Sequence, residues 1–338
     1  MPFTVHVEPS GHQFEAGAAE TILAAALRHN VGLPYGCRDG KCGSCAAQLL
    51  AGAVDYPEGP PPALEGAAAG ACICCQAVPR SDVRLQVREV ERAAQLEARV
   101  LPCRVVRIDH LAHDVVRLFL KLPEQQRLQF LAGQYLEFLL ADGRTRAFSI
   151  ANAPHDDALI ELHLRHVPGG RFTDHVFSQM KEKAILRIRA PLGTFVLRED
   201  SPRPMLFVAG GTGFAPIKGM IEHAFHVGID RPMHLYWGVR AERDLYMPDL
   251  PRQWGQAHPG FRFAAVLSEP DAGWQGRRGF VHAAVLEDYP DLSGVDIYMA
   301  GPPVMIEAAR AGFTAAGLPL ERLYSDAFEY AKDPATSS

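Results

Sequence analysis

GCRDGKCGSC, Gly36–Cys45, packs three cysteines among glycines and two basic side chains. Sulfur at this density serves as a structural knot, a disulfide or a ligand loop, and the choice turns on where a fourth sulfur lies. The chain has seven cysteines, at 37, 42, 45, 72, 74, 75 and 103, and none beyond Cys103. An odd count argues against a fully paired disulfide framework, and a local cluster in an intracellular chain points to metal or redox work. ACICCQAVPRSD then offers Cys72, Cys74 and Cys75 as the missing donor. A zinc site, which usually uses paired C-x2-C knuckles, is the alternative to a cluster of another kind.

The bulk properties bound what such a loop can serve. At 338 residues the chain should divide into two or three domains, since about 100–200 residues per domain is usual. Hydrophobic content of 48% and charged content of 22% are those of an ordinary globular protein. A net charge of −5, from 34 basic and 39 acidic residues, leaves no electrostatic footprint for nucleic acid or an anionic membrane. No apolar run approaches the ~18 residues that a bilayer span needs. MPFTVHVEPSGHQFE lacks a basic region followed by an apolar block, so no secretory leader is expected and the cytoplasm is the expected location.

Three textures follow one another, and together they predict a multidomain chain. In residues 1–92 Phe3, Val5 and Val7 alternate with polar residues, Pro9-Ser10-Gly11 reads as a turn, and Glu20 to Asn30 reads as a helix buried through Ile22, Leu23, Ala26 and Leu27. With the strand-like AAQLLAG and Asp82–Val87, this is a small α+β domain around the cysteine loop. A charged linker is expected at 93–101. From Pro102 to about residue 200, CRVVRID, VVRLFLKL, QYLEFLLA, RAFSIAN, LIELHLRHV and ILRIRA alternate between close turns, which predicts an antiparallel β-barrel. Over 201–338, MLFVAG, MHLYWGV, FRFAAVLS and VDIYMAG are near-continuous apolar runs separated by helical stretches, the pattern of an α/β parallel-sheet domain.

C-x4-C-x2-C is the spacing of plant-type two-iron clusters, and the first domain resembles plant-type ferredoxins with their β-grasp-like fold. In that family the last ligand lies thirty positions past the third and precedes a Pro-x-Ser-Asp run. Cys75 meets both marks, with Pro79, Ser81 and Asp82 in place. The resemblance therefore implies a [2Fe-2S] cluster on Cys37, Cys42, Cys45 and Cys75, leaving Cys72 and Cys74 as small buried hydrophobes. Gly36, Gly40 and Gly43 would let backbone N–H groups approach the sulfurs.

RAFSIANAP, residues 146–154, resembles the Arg-x-Tyr-Ser flavin motif of the ferredoxin–NADP reductase superfamily, with Phe148 in place of tyrosine. The resemblance implies that Arg146 pairs with flavin phosphate, Phe148 lies against the isoalloxazine ring and Ser149 bonds near its reactive N5 edge. VPGGRFTDHVF puts Gly170 and Thr173 at a helix start, where a flavin pyrophosphate is favoured, and APLGTF at 190–195 is also family-like. FAD is implied over FMN by the segments that follow. LFVAGGTGFAPIKGM places Gly210, Gly211, Thr212 and Gly213 between a strand and a helix beginning near Pro216, a turn that admits phosphate to backbone N–H groups. It is not the G-x-G-x-x-G fingerprint, but it resembles the nicotinamide turn of the same superfamily. AGPPVM at Ala300–Met305 resembles that family's Cys-Gly-Pro-Pro-x-Met segment, with Gly301, Pro302 and Pro303 to shape the pocket and Ala300 where the family often has cysteine. In SDAFEY, Phe328 is implied to cover the other flavin face. YWGVRAERDLY offers Arg240 and Arg243 toward an NADPH 2′-phosphate and Asp244 toward an NADH ribose, and NADH is the expected coenzyme.

The resemblance covers essentially the whole chain and identifies it as a three-domain electron-transfer reductase. It implies that NADH (or NADPH) reduces FAD, that the [2Fe-2S] cluster carries electrons singly, and that a partner metalloenzyme receives them. That partner is expected to be a multicomponent oxygenase. The alternative is a dehydrase acting on a CDP-6-deoxy-hexulose. A redox- or NAD-sensing module that does not turn over is the alternative of another class.

Overall fold

The computed structural model describes residues 2–328, which form two compact units. One is built on the first 97 residues together with Gly193–Phe195. Its five-stranded sheet runs in the order Gln13–Ala16, Phe3–Glu8, Val83–Gln86, Ala46–Ala51, Ala71–Ile73. Only the pair Phe3–Glu8 and Val83–Gln86 is parallel. The helix Ile22–Arg28 buries Ile22, Leu23, Ala25 and Ala26 in the core that also holds Val5, Val7 and Leu85, so the fold is the α+β grasp that the sequence predicts.

That helix is shorter than its apolar stripe suggests, because both ends are capped. Thr21 Oγ1 accepts the Ala24 N–H at 3.2 Å, and Asn30 turns the chain out with a φ of +57°. The N–H groups of Ile22 and Leu23 donate to the carbonyls of Ala77 and Cys74, both at 2.9 Å. The charged stretch after this sheet is partly ordered: Val90 is 2% exposed and its N–H donates to Gly32 O at 2.7 Å. One helical turn, Glu91–Ala94, follows.

The other unit carries a barrel and a parallel sheet. The barrel strands, all antiparallel, are ordered Thr145–Ser149, Tyr135–Leu139, Ile185–Leu192, Arg99–Ala112, Val115–Lys121, Ile160–Arg165. A bridge between Ile150 and Leu162 closes the ends. Inside, Val105, Leu118, Leu120, Leu136, Ile150, Leu162 and Ile188 are fully buried. The parallel sheet is ordered Arg277–Arg278, Phe261–Leu267, Met233–Val239, Met205–Gly210, Asp296–Gly301, Leu323–Ala327. Strand order reverses at Met205–Gly210, so the crevice at its carboxyl end is the switch point where such folds bind ligands.

Met205–Gly210 and Asp296–Gly301 are buried at every position, which explains their unbroken apolar runs. Beyond Gly210, a 3-10 turn, Gly211–Gly213, leads into the helix Phe214–His226. Pro216 sits in the first turn of that helix, where its missing N–H costs nothing. A Cβ on Gly213 would lie 1.9 Å from the Ala300 carbonyl oxygen, so the turn passes in backbone contact with the neighbouring strand. Gly213→Ala should therefore lower stability by about 1–3 kcal/mol, as overpacking does, read as a fall in Tm. An unchanged Tm would mean that the turn relaxes freely.

Candidate functional site

The cysteine loop folds back on itself through its own amides. Cys37 N–H points at Cys42 Sγ at 3.5 Å, Cys42 N–H at Cys37 Sγ at 3.4 Å, and Ser44 N–H at Cys42 Sγ at 3.5 Å. Arg38, Gly40 and Gly43 take positive φ values of 66°, 80° and 70°, which turns these amides inward. At Gly40 a Cβ would also strike Pro61 Cβ at 2.6 Å. The sulfurs group in two contacting pairs, Cys37 with Cys42 and Cys45 with Cys75, and Gly40 N–H reaches Cys75. Hydrogen bonding from Cys37 pulls the Cys42 thiol down to about 6, and the bond from Cys45 likewise lowers Cys75. The same bonds and burial push Cys37 and Cys45 upward; it is the grouping of the sulfurs in two pairs ringed by amides that fits two irons better than one tetrahedral zinc. Cys72 and Cys74 are 0% and 1% exposed and contact each other and Tyr56 rather than the loop amides.

Arg146 and Phe148 share one face of the barrel strand Thr145–Ser149. Both are half-buried, whereas Ser149 is buried. The Phe148 ring lies 5.7 Å from Phe172 and 5.8 Å from Phe138, so one side of it is packed. Phe172 belongs to the helix Arg171–Ser178, whose N-cap is Gly170. The structure thus brings the flavin-motif strand and the GGRFT helix start together. The Thr173 hydroxyl is turned into its own loop, donating to Gly170 O at 3.0 Å and accepting from Val167 N–H at 3.2 Å. What Thr173 offers an anion at this helix start is its backbone N–H rather than its hydroxyl.

At the switch point, Gly210 and Gly301 meet: a Cβ on Gly301 would sit 3.0 Å from Gly210 Cα. Pro302 and Met305 close the other side, 2.8 and 2.6 Å from a Cβ on Gly210. Phe328 N–H donates to Gly301 O at 2.8 Å, which holds this half-buried aromatic beside the Gly301–Pro303 turn. Behind the turn, Trp237 stacks on Phe214 at 4.1 Å and 15°, and its indole N–H donates to Gly211 O at 2.9 Å.

Two groups beside this turn are not apparent in the sequence. The first is Arg165, at the end of the barrel strand Ile160–Arg165; its Nη1 would be 2.7 Å from a Cβ on Gly211. Its Nε faces Asp114 Oδ2 at 3.2 Å, which leaves the outer guanidinium edge at the dinucleotide turn. The second is a buried polar network. Tyr246 O–H lies 3.0 Å from His163 Nδ1, and His163 Nε2 lies 2.9 Å from Glu161 Oε1. Lys218 Nζ donates to Glu161 Oε2 at 3.1 Å, Glu222 Oε2 at 2.9 Å and Ala151 O at 3.3 Å. Asp244, by contrast, is 2% exposed and accepts the Ala241 N–H at 3.1 Å. Its Oδ2 thus caps its own turn.

A thiolate loop, a flavin strand and a glycine turn at a switch point define a flavin- and iron–sulfur-dependent NAD(P)H oxidoreductase. Family models agree segment by segment: a 2Fe-2S iron-sulfur cluster binding domain over residues 5–80, an oxidoreductase FAD-binding domain over 102–197 and an oxidoreductase NAD-binding domain over 207–311. The CDP-6-deoxy-L-threo-D-glycero-4-hexulose-3-dehydrase reductase of Yersinia pestis is 41% identical over 97% of this chain and 99% of its own. Reductase component 1 of a Comamonas terephthalate 1,2-dioxygenase is 33% identical over 97% and 98%. Among solved structures, an Amycolatopsis cytochrome P450 reductase superposes with a TM-score of 0.77 at 34% identity, over 96% of this chain and 98% of that one. The chain belongs to the ferredoxin–NAD(P)H reductase family that carries a [2Fe-2S] domain. It moves electrons from NAD(P)H through FAD and [2Fe-2S] to a protein acceptor. Among the described residues no helix is long and apolar enough to cross a membrane.

The network also contributes to how the second unit responds to acid. Burial holds His163 below its usual 6.5, against the opposing hydrogen bond that it donates to Glu161. Burial works to raise Glu161, yet His163 and the Lys218 charge outweigh it and hold the carboxyl at about 2. For both groups the unfolded chain binds protons at higher pH than the folded one, so stability falls as pH drops, first below 6.5 and then from 4.5 toward about 2. Tm should decline across that range, and His163→Gln should flatten its upper part. Parallel Tm curves for the two proteins would remove His163 from this account.

Proposed function

We propose that Cys37, Cys42, Cys45 and Cys75 hold the [2Fe-2S] cluster, in a domain spanning residues 1–92. Arg146, Phe148, Ser149, Gly170 and Thr173 bind FAD within 102–200, past a linker at 93–101. Gly210, Gly211, Thr212, Gly213, Pro216, Gly301, Pro302 and Pro303 bind the nicotinamide dinucleotide within 201–338, and Phe328 closes the remaining flavin face. The observation that carries this reading is the two contacting thiol pairs set among inward amides. When bound, the flavin takes a hydride from the nicotinamide and the cluster passes electrons on singly. Phe148, Ser149 and Phe328 are the side chains that touch the reacting ring, and Arg165 grips the dinucleotide's phosphates above Gly211.

The coenzyme is NADH. Arg240, one of two arginines suited to a 2′-phosphate, is drawn to Asp244 Oδ2 at 3.5 Å, and Glu242 lies exposed on the same turn, where it repels a phosphate. The acceptor is a dehydrase of CDP-6-deoxy-hexulose type, as named for the relatives at 41% identity across nearly the whole chain. The second reading is an oxygenase or P450 acceptor, favoured by the 0.77 TM-score against the P450 reductase.

An anaerobic absorption spectrum tests the carriers. Limiting NADH should bleach flavin bands and the iron–sulfur shoulder together, and faster than NADPH does. A flavin that bleaches while the shoulder persists would detach the cluster from the pathway. Cys75→Ser should lose iron, whereas Cys72→Ser should keep it, as iron analysis will show. Arg165→Ala should raise the KM for NADH about tenfold or more, since charge-assisted hydrogen bonds contribute about 1.5–3 kcal/mol. Adding either acceptor class with its substrate separates the two partner readings.

A further inference from the structure

We propose that Lys218, His163 and Tyr246 are positioning residues for flavin reduction, forming a buried clasp that fixes the strand carrying Ser149 against the helix leaving the dinucleotide turn. The proposal rests on the assignment of Ser149 to the flavin and Gly210–Gly213 to the nicotinamide dinucleotide.

The clasp joins two differently folded halves of one unit. From the barrel come Glu161 and His163, two apart on the strand Ile160–Arg165 and therefore on one face, and Ala151, two residues past Ser149. From the parallel-sheet half come Lys218, on the helix Phe214–His226, and Tyr246. Lys218 is 5% exposed, and its three ammonium protons match three oxygens: Ala151 O, Glu161 Oε2 and Glu222 Oε2. Glu161 in turn engages the barrel backbone, because Ala151 N–H donates to Glu161 O at 2.8 Å. Both polar groups of the Ala151 backbone are thus tied to the clasp. Next to Lys218, a Cβ on Gly219 would lie 2.9 Å from Asn152 O, so helix and post-motif segment are in backbone contact.

At its other end the clasp reaches the dinucleotide turn. Tyr246 packs edge-on against Trp237 at 4.9 Å, and Trp237 bonds Gly211 O. A continuous series of directional contacts therefore runs from Ala151, through Lys218, Glu161, His163 and Tyr246, to Trp237 and Gly211. Buried ionic groups contribute little net stability compared with apolar packing of the same volume. A fully satisfied network of this kind instead selects one relative arrangement of the parts it joins. The parts joined here are the two that must bring flavin and nicotinamide together, and a displacement of about 1 Å between reactants can cost about 100-fold in rate.

The test uses the flavin- and iron-loaded full chain with Lys218→Met, Lys218→Arg and Tyr246→Phe. Stopped-flow bleaching of the flavin by NADH gives the rate at saturation and the apparent Kd separately. Lys218→Met should slow the saturated rate about 10- to 100-fold while the Kd stays within about threefold. Lys218→Arg should recover part of the rate, and Tyr246→Phe should slow it without a change in side-chain packing. The long-wavelength band that forms when the reduced flavin is mixed with NAD+ should weaken, and in flavin-free protein the Ala151 amide should exchange faster. An unchanged saturated rate, with or without a lower Tm, overturns the positioning role, because a purely structural clasp predicts that result. Should Lys218→Met fail to fold, the saturated rate of Tyr246→Phe decides the matter by the same criterion. A wild-type flavin that NADH does not bleach overturns the functional reading itself and the clasp's role with it.

Discussion

A single backbone approach organises the dinucleotide half of this protein. Because Gly213 has no side chain, its turn lies directly on the Ala300 carbonyl, and the helix Phe214–His226 starts where the strand Asp296–Gly301 ends. Everything downstream inherits that placement. Pro216 falls in the first helical turn, Phe214 reaches Trp237, and Lys218 arrives one turn further along, aimed at the barrel. A methyl group at residue 213 would push the helix outward and separate all three from their partners at once.

The same unit combines two kinds of cohesion. Phe214, Trp237 and Tyr246 form a dry aromatic wall behind the turn, with no directional demand beyond ring geometry. Beside it lies the charged series around Glu161, which tolerates only one arrangement because each donor has one acceptor. The wall supplies burial and the ionic series supplies register. Arg165 sits where the two meet: it extends the face that carries Glu161 and His163, yet its guanidinium edge faces Gly211.

How much of this was legible in the sequence depends on the range of the interaction. Cysteine spacing, glycine turns and the change from alternating to continuous apolar runs are local, and each foretold its element. The helix Ile22–Arg28 came out shorter than its stripe because Thr21 and Asn30 cap it, and caps weigh less than hydrophobic period in a linear reading. Asp244 was one option for a ribose ligand; only the folded turn shows that it is buried and that its Oδ2 accepts the Ala241 amide. Arg165, Glu161, His163 and Lys218 carry no motif, since their meaning lies in pairs separated by 57 residues or brought to a glycine 46 positions away. Phe172 was hidden similarly, as an aromatic inside a segment read for its glycines.

The helix Ile22–Arg28 bears on iron in a way its remoteness from the cysteine loop conceals. Its first two amides are satisfied by the carbonyls of Cys74 and Ala77, the residues that bracket Cys75. Helix formation and the placement of Cys75, the fourth ligand proposed above, are therefore coupled. By thermodynamic reciprocity, whatever free energy iron binding gains from a preset Cys75 is returned as resistance of this helix to fraying. On that proposed assignment Thr21, which touches no sulfur, would bear on metal retention through the helix end that it caps. The end of a seven-residue helix thus helps set where a proposed cluster ligand sits.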